Sequence, residues 1–320
     1  MLCVLNTIAI NSLFKIMKIY LLLLFILCAS LNRLTAQTLD DGLVMPKKDF
    51  CTGILFTQSQ WKNYWEGDLK RDNQNLGTVS TTQIMWVGNY GLTDKINVIA
   101  MASYVKTSAS GGTLTGLEGL QDLTMGVKYI LLKKELTSGK LTAFGVGSFS
   151  TPLTNYTPDF LPLSIGLAST TATGRLTANY QLPSGWYASV SAAYTWRSNV
   201  TIDRPSYYTD GNIYFTNQVW MPNQFSSLYR IGYIKNALQA ELNLTQQNTL
   251  GGGDIRKQDM PFVSNRMNFL KLGVLGMYYL AKPKNVAVHL EASYVLTGLN
   301  VGQSFAVTGG LLYTFHFAKK

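Results

Sequence analysis

Cysteine is scarce in this chain: Cys3, Cys28 and Cys51 are the only three, and two of them fall within the first 36 residues. If that stretch is removed on export, Cys51 stands alone, which excludes an intramolecular disulfide and a cysteine-built metal site. Histidine is scarcer still, with only His289 and His316. No phosphate-cradling glycine loop, zinc-spaced cluster or nucleophile elbow occurs, so no cofactor, no metal and no enzymatic activity are expected. Ser293 shares a strand face with His289, but four residues of extended chain put it about 13 Å away, too far for the imidazole to activate the hydroxyl. Charged residues make up only 14% of the chain. The excess of Lys and Arg is scattered singly through it, so nucleic acid is not an expected partner despite a net charge of +10. Long apolar runs are missing too: none of 18 residues follows residue 36, which excludes a membrane-spanning helix there and leaves a membrane barrel open.

What is present begins with a leader. Met17-Lys18 precedes an aliphatic run from Ile19 to Leu27, and Leu34-Thr35-Ala36-Gln37 offers a small residue before a cut. This is the form of a secretory signal peptide covering residues 1–36, with Met17 a candidate for the true start and cleavage expected after Ala36. A lipoprotein reading through Cys28 is disfavoured by bulky Leu27 at a position that wants a small residue; a retained anchor helix is the other alternative. Removal of the leader leaves 24 basic and 17 acidic residues, net +7, which suits anionic lipid headgroups or an anionic solute in an exported protein.

The rest of the chain alternates in hydrophobicity with period two. In residues 186–197 one face carries Trp186, Ala188, Val190, Ala192, Tyr194 and Trp196, and the other carries Tyr187, Ser189, Ser191, Ala193, Thr195 and Arg197. Small aliphatics in the middle and aromatics at both ends are the profile of a strand face turned to lipid. The same split separates Leu238, Ala240, Leu242 and Leu244 from Gln239, Glu241, Asn243 and Thr245, and Val288, Leu290, Ala292 and Tyr294 from His289, Glu291 and Ser293. Twelve strands are expected, at 50–61, 78–90, 96–107, 121–132, 140–151, 170–182, 186–198, 223–234, 237–247, 267–280, 286–297 and 303–317. Those at 50–61, 78–90 and 140–151 alternate least clearly. Connections after even strands are short and those after strands one, three, five, seven and nine are long, as in bacterial outer-membrane barrels. A soluble jelly roll has no reason to sort loop lengths by end.

The expected fold class is therefore all-β, a transmembrane antiparallel up-and-down β-barrel of about 12 strands behind an N-terminal signal peptide. Residues 37–49 would be an N-terminal periplasmic segment, 50–317 the barrel and 318–320 a C-terminal tail, with both termini in the periplasm of a Gram-negative cell.

Two stretches add a resemblance. Tyr90-Gly91-Leu92-Thr93-Asp94-Lys95 and then Gly119-Leu120-Gln121-Asp122-Leu123-Thr124-Met125-Gly126-Val127-Lys128-Tyr129 resemble the outer-membrane protein family named for the meta-pathway of phenol degradation. That family joins two strands through a Tyr-Gly-Leu-Thr-Asp turn and opens a later one with Gly-x-Gly-Asp-Leu; here Gln121 replaces the second glycine. The resemblance implies a transporter-like barrel associated with uptake of aromatic or other hydrophobic compounds. Thr308-Gly309-Gly310-Leu311-Leu312-Tyr313-Thr314-Phe315 also looks like the C-terminal signal that engages the barrel assembly machinery, although the chain continues to Lys320.

Alternation assigns the inward charges. Lys128, Arg175, Arg197, Arg230, Glu241, Lys271, His289 and Glu291 are the candidate lumen or solute-path residues, with Asp122 beside them. A two-residue turn at Lys235-Asn236 would set Arg230 opposite Glu241, Tyr229 opposite Leu242 and Tyr233 opposite Leu238, predicting a cross-strand ion pair. Arg197, Arg175 and Arg230 would form a stepped column able to guide an anion, or else fill space and neutralise lumen acids. Inward Phe144, Leu228, Phe269 and Met277 would suit a hydrophobic solute or simply pack the bore. The function expected is a passive outer-membrane transporter or channel for small solutes, with outer-membrane lipids, the assembly machinery and a small-molecule solute as partners. A structural or interaction barrel is the alternative, and a membrane-embedded lipid hydrolase the third reading.

Overall fold

The computed structural model describes residues 38–256 and 261–317. Residues 1–36, read above as a signal peptide, and residues 318–320, read as a tail, lie outside the described residues. Twelve long strands make the wall: β1 (Asp49–Trp61), β2 (Val79–Gly91), β3 (Ile96–Ala109), β4 (Glu118–Leu136), β5 (Gly139–Pro152) and β6 (Thr171–Gln181). They continue as β7 (Trp186–Arg197), β8 (Gln224–Lys235), β9 (Leu238–Thr249), β10 (Asn268–Tyr279), β11 (Val286–Leu299) and β12 (Phe305–His316). Each pairs antiparallel with its sequence neighbours, and β1 pairs with both β2 and β12, so the sheet closes. Closure satisfies every ladder and leaves no edge, the condition for a sheet to cross a bilayer.

Which face meets lipid follows from exposure. On β7, Trp186, Val190, Tyr194 and Trp196 are exposed while Ser189, Ser191 and Ala193 are buried. On β8, Tyr229 and Ile231 face out and Leu228 faces in. The strands that alternate poorly in sequence have local reasons. On β1 the outward Thr52 accepts a hydrogen bond from the Trp86 indole at 2.9 Å, and outward Gln58 accepts one from Thr82 at 2.7 Å. Polar side chains there are satisfied by a neighbouring strand rather than by water.

The connections 62–78, 110–117, 153–170, 198–223 and 250–267, with the brief 300–304, gather at one end of the barrel, and the remaining short ones at the other. At the short end, Lys95 and Ile96 N–H groups donate to the Thr93 hydroxyl at 3.2 and 3.0 Å, so Thr93 braces that turn. The β4–β5 hairpin runs on to Leu136 and Gly139, beyond the strand ends expected at 132 and 140. In the longest loop, Tyr207–Thr209 pairs with Asn212–Tyr214 around Asp210 (φ 50°) and Gly211 (φ 81°), a hairpin whose tight Asp-Gly turn fits this positive-φ backbone.

The β8–β9 register differs from expectation by two residues. Lys235 pairs with Leu238, so the turn is Asn236-Ala237 with Asn236 in the left-handed region (φ 55°). Arg230 therefore stands opposite Asn243 and Glu241 opposite Gly232; Tyr229 faces Leu244 and Tyr233 faces Ala240. An even shift keeps every side chain on its expected face. Gly232 leaves room for the Tyr187 ring, and the ion pair forms on the diagonal, Arg230 Nε to Glu241 Oε1 2.9 Å.

The closing seam depends on glycine. A Cβ on Gly310 would lie 2.4 Å from the Ile54 carbonyl oxygen and the Leu55 side chain, whereas one on the adjacent outward Gly309 would meet only Leu290 at 3.6 Å. Gly310→Val is thus expected to block closure between β1 and β12, with loss of the compact, heat-modifiable band in cold SDS gels. Gly309→Val should retain that band; equal behaviour of the two variants would refute the seam argument.

Candidate functional site

The barrel interior is not an empty bore. Residues 38–48, ahead of β1, run among inward side chains, and three cations on three strands hold them. Lys128 on β4, with no side-chain exposure, donates to the carbonyls of Thr38 (2.5 Å), Asp41 (2.9 Å) and Leu43 (3.2 Å) and to Asp41 Oδ1 (2.9 Å). Arg175 on β6 pairs with Asp40 Oδ1 at 2.9 Å. Arg230 on β8 donates to the Asp40 carbonyl and pairs with Glu241 on β9, whose second oxygen accepts from the Tyr187 hydroxyl at 2.6 Å. Such charges are tolerable out of bulk water because each finds a partner.

Apolar contacts seat the same segment. Leu39 packs with Ile99 and Val146, beside Met101. It needs Gly126, since a Cβ there would lie 2.5 Å from the Leu39 side chain. Further along, Met45 is buried with Cys51, Leu55, Val87, Met277, Tyr279, Ala287 and Leu312, flanked by Met85, Met101 and Leu275. Around the segment the lumen is consequently two-sided: methionine- and leucine-rich about Met45, from β1, β2 and β10–β12, and charged about Lys128, Arg175, Arg230 and Glu241, from β4 to β9.

Toward the long-loop end the wall turns to hydroxyls and amides that satisfy one another across strands. Thr57 meets Thr308 (2.9 Å), Gln83 donates to Ser103 (2.8 Å), Thr124 meets Ser150 (2.9 Å) and Thr173 meets Thr195 (2.9 Å). Above this belt the loops fold inward. Leu163 is fully buried with Leu76 and Val79, and its carbonyl accepts from the Thr107 hydroxyl at 2.6 Å. Tyr156 donates to Asp122 at 2.7 Å. Burial first, and then the Asp122 carboxylate, push that phenol well above its ordinary range and keep it a donor. Val200, Ile202, Tyr207, Val219, Met221, Phe262 and Val263 form one apolar cluster from two loops, and Leu161 and Leu167 of a third pack against it. Arg204 ties to Asp159 at 2.9 Å between loops 198–223 and 153–170.

Of the residues singled out from sequence, Lys128, Arg175, Arg230 and Glu241 come together around the segment 38–43. Arg197 does not join them: it stands at the long-loop end of β7, its backbone N–H donating to Asn223 at 3.0 Å. The stepped column is therefore two arginines on the segment and one at the mouth. His289 and Glu291 face each other on β11 at 3.6 Å, and Lys271 lies 5.9 Å from the Phe269 ring. Of the inward apolar residues, Met277 packs on Met45 and Phe144 lies 5.9 Å beneath the Lys128 ammonium. Sequence reasoning missed Leu39, Asp40, Asp41, Met45 and Tyr187 as contributors. The available signal was the adjacent acids Asp40-Asp41 set between Leu39 and Met45.

Comparisons agree with this architecture. The model of the family described as "Putative MetA-pathway of phenol degradation" matches residues 69–254. No curated protein sequence matches the chain. Among solved structures, an outer membrane channel from Pseudomonas putida F1 superposes with a TM-score of 0.69 at 13% identity, over 88% of this chain and 100% of that one. The KdgM porin in complex with oligogalacturonate (TM-score 0.45, 8% identity, 83% and 99% covered) is more distant. So is a mutant of the monoaromatic hydrocarbon channel TodX (0.44, 10%, 85% and 91%). The family match spans more than half of the chain, the wall is a closed antiparallel barrel with an apolar outer face, and the first of these structures shares its fold. The chain belongs to this phenol-degradation family and is an integral β-barrel of the outer membrane.

Proposed function

We propose that the protein is a passive channel for small aromatic or otherwise hydrophobic solutes, with both termini on the periplasmic side and the segment 38–48 as its internal gate. The observation that carries this reading is the two-sided lumen. A sector of Met85, Met101, Leu275 and Met277 follows a hydrogen-bonded hydroxyl belt nearer the long loops, so an apolar solute with one polar group would meet both kinds of wall along its path. The family match is in keeping with that class of cargo. The candidate path would run from the long loops past Arg197 and Lys271 to Arg175, Lys128, Arg230 and Glu241, with His289 and Glu291 on the opposite wall. The C-terminal strand, with Gly309-Gly310 and Phe315, would present itself to the barrel assembly machinery before closure.

Uptake of radiolabelled toluene and of a radiolabelled disaccharide by Gram-negative cells, with and without the protein in their outer membrane, tests the reading. Faster initial uptake of toluene alone is expected. No change for either solute would remove the channel reading. It would favour the second one, an interaction barrel acting through its loops, which the interlocked cluster of Val200, Met221 and Phe262 supports. A lipid hydrolase has less in its favour, because His289 is buried in the lumen, 3.6 Å from Glu291, rather than turned to lipid.

A further inference from the structure

The segment inside the barrel has the chemistry of a ligand. Its carboxylates, Asp40 and Asp41, each sit on a wall cation at 2.9 Å, and its apolar side chains, Leu39 and Met45, each sit in a separate apolar recess. The wall itself is unbalanced at this level. Of the three wall cations Lys128, Arg175 and Arg230, only Arg230 is paired with an acid of the wall, Glu241, and the two acids of the segment supply direct partners for the other two. The sheet strand β1 begins at Asp49, and residues 38–43 ahead of it are gripped by wall cations on carboxylates and carbonyls. Gly126 completes a recess that admits Leu39 beside the Lys128 site.

We propose that Lys128 and Arg175, with the recess of Ile99, Val146 and Gly126 beside them, form a binding site for small carboxylates carrying an apolar body, which Asp40, Asp41 and Leu39 occupy by mimicry. An aryl or short alkyl carboxylate matches the site in both charge and shape. Its carboxylate accepts charge-assisted hydrogen bonds from the ammonium and guanidinium, and its hydrocarbon replaces Leu39. A neutral aromatic would replace only the hydrocarbon part and leave two wall cations without partners. Arrival of such an acid then competes with the segment for the same cations, so the solute that the site recognises also loosens the gate. This deepens the proposed channel reading and rests on it.

The test is equilibrium binding, which does not depend on flux. Isothermal titration of the detergent-solubilised protein lacking residues 38–45 compares 1-naphthoate with its neutral analogue 1-naphthalenemethanol. The acid is expected to bind about ten-fold more tightly, equivalent to ~1.4 kcal/mol, and Arg175→Gln or Lys128→Met in the same background should abolish that preference. The full-length protein should bind naphthoate more weakly than the shortened one. If the shortened protein does not fold, the full-length Asp40→Asn/Asp41→Asn variant serves, with the same expected preference. Equal affinity for acid and alcohol, or a preference that survives Arg175→Gln, overturns the carboxylate site. Toluene uptake by cells would then still report separately on the channel reading.

Discussion

Deletion of residues 38–45 is expected to raise the ion conductance of the barrel in planar bilayers severalfold, because a bore filled by chain becomes one filled by water. The physical ground is that this segment, rather than the wall, occupies the interior between β4 and β9. It satisfies Lys128 through four hydrogen bonds, engages Arg175 and Arg230 through Asp40, and fills recesses with Leu39 and Met45. Removing it uncovers two surplus cations, so the enlarged pore should also turn anion-selective. Asp40→Asn/Asp41→Asn should give intermediate behaviour, with brief openings, because the apolar seats remain while the ionic hold weakens. A folded deletion variant with unchanged conductance would place the closure in the loops around Leu163 and Tyr207 instead.

The sequence made the wall legible because lipid imposes one rule on every strand. A charged side chain facing mid-bilayer costs about 2–4 kcal/mol, so outward positions such as Val190, Tyr229 and Leu242 declare themselves. The inside obeys no such rule. Strand β5 reads poorly because its inward Phe144 and Val146 are apolar, and they are apolar because they line the seat of Lys128 and Leu39. A reader of alternation sees there only a strand without a polar face. The register error at β8–β9 has a similar origin. Lys235-Asn236 and Asn236-Ala237 are both two-residue turns that conserve facing, and what separates them is the left-handed backbone at Asn236, which a facing argument does not register. Hence Arg230 and Glu241 were found as a pair for a pairing they do not have, and they meet because both long side chains reach across a diagonal. The partners from residues 38–45 stayed hidden for a simpler reason: neither period nor turn grammar connects a segment ahead of the barrel to side chains as far along the chain as Arg230.

That pair carries the second large effect. Glu241 has only 3% of its side chain exposed, and its oxygens are held by Arg230 at 2.9 Å and by the Tyr187 hydroxyl at 2.6 Å. Arg230→Met leaves the carboxylate buried with a neutral phenol as its remaining partner and the Asp40 backbone without its donor. Breaking a buried pair from one side costs about 3–5 kcal/mol, far more than the median of about 0–1 kcal/mol for an exposed pair. Glu241→Leu should cost a comparable amount, since it strands the guanidinium and the Tyr187 hydroxyl instead. The double variant Arg230→Met/Glu241→Leu removes both charges, so it should recover most of the loss and give a strongly non-additive double-mutant cycle. Urea unfolding in detergent micelles, followed by tryptophan fluorescence and by the heat-modifiable gel band, measures all four proteins. Single variants within about 1 kcal/mol of wild type, or a double variant whose loss is the sum of the two, would mean that water screens the pair and that the lumen at this level is open rather than filled.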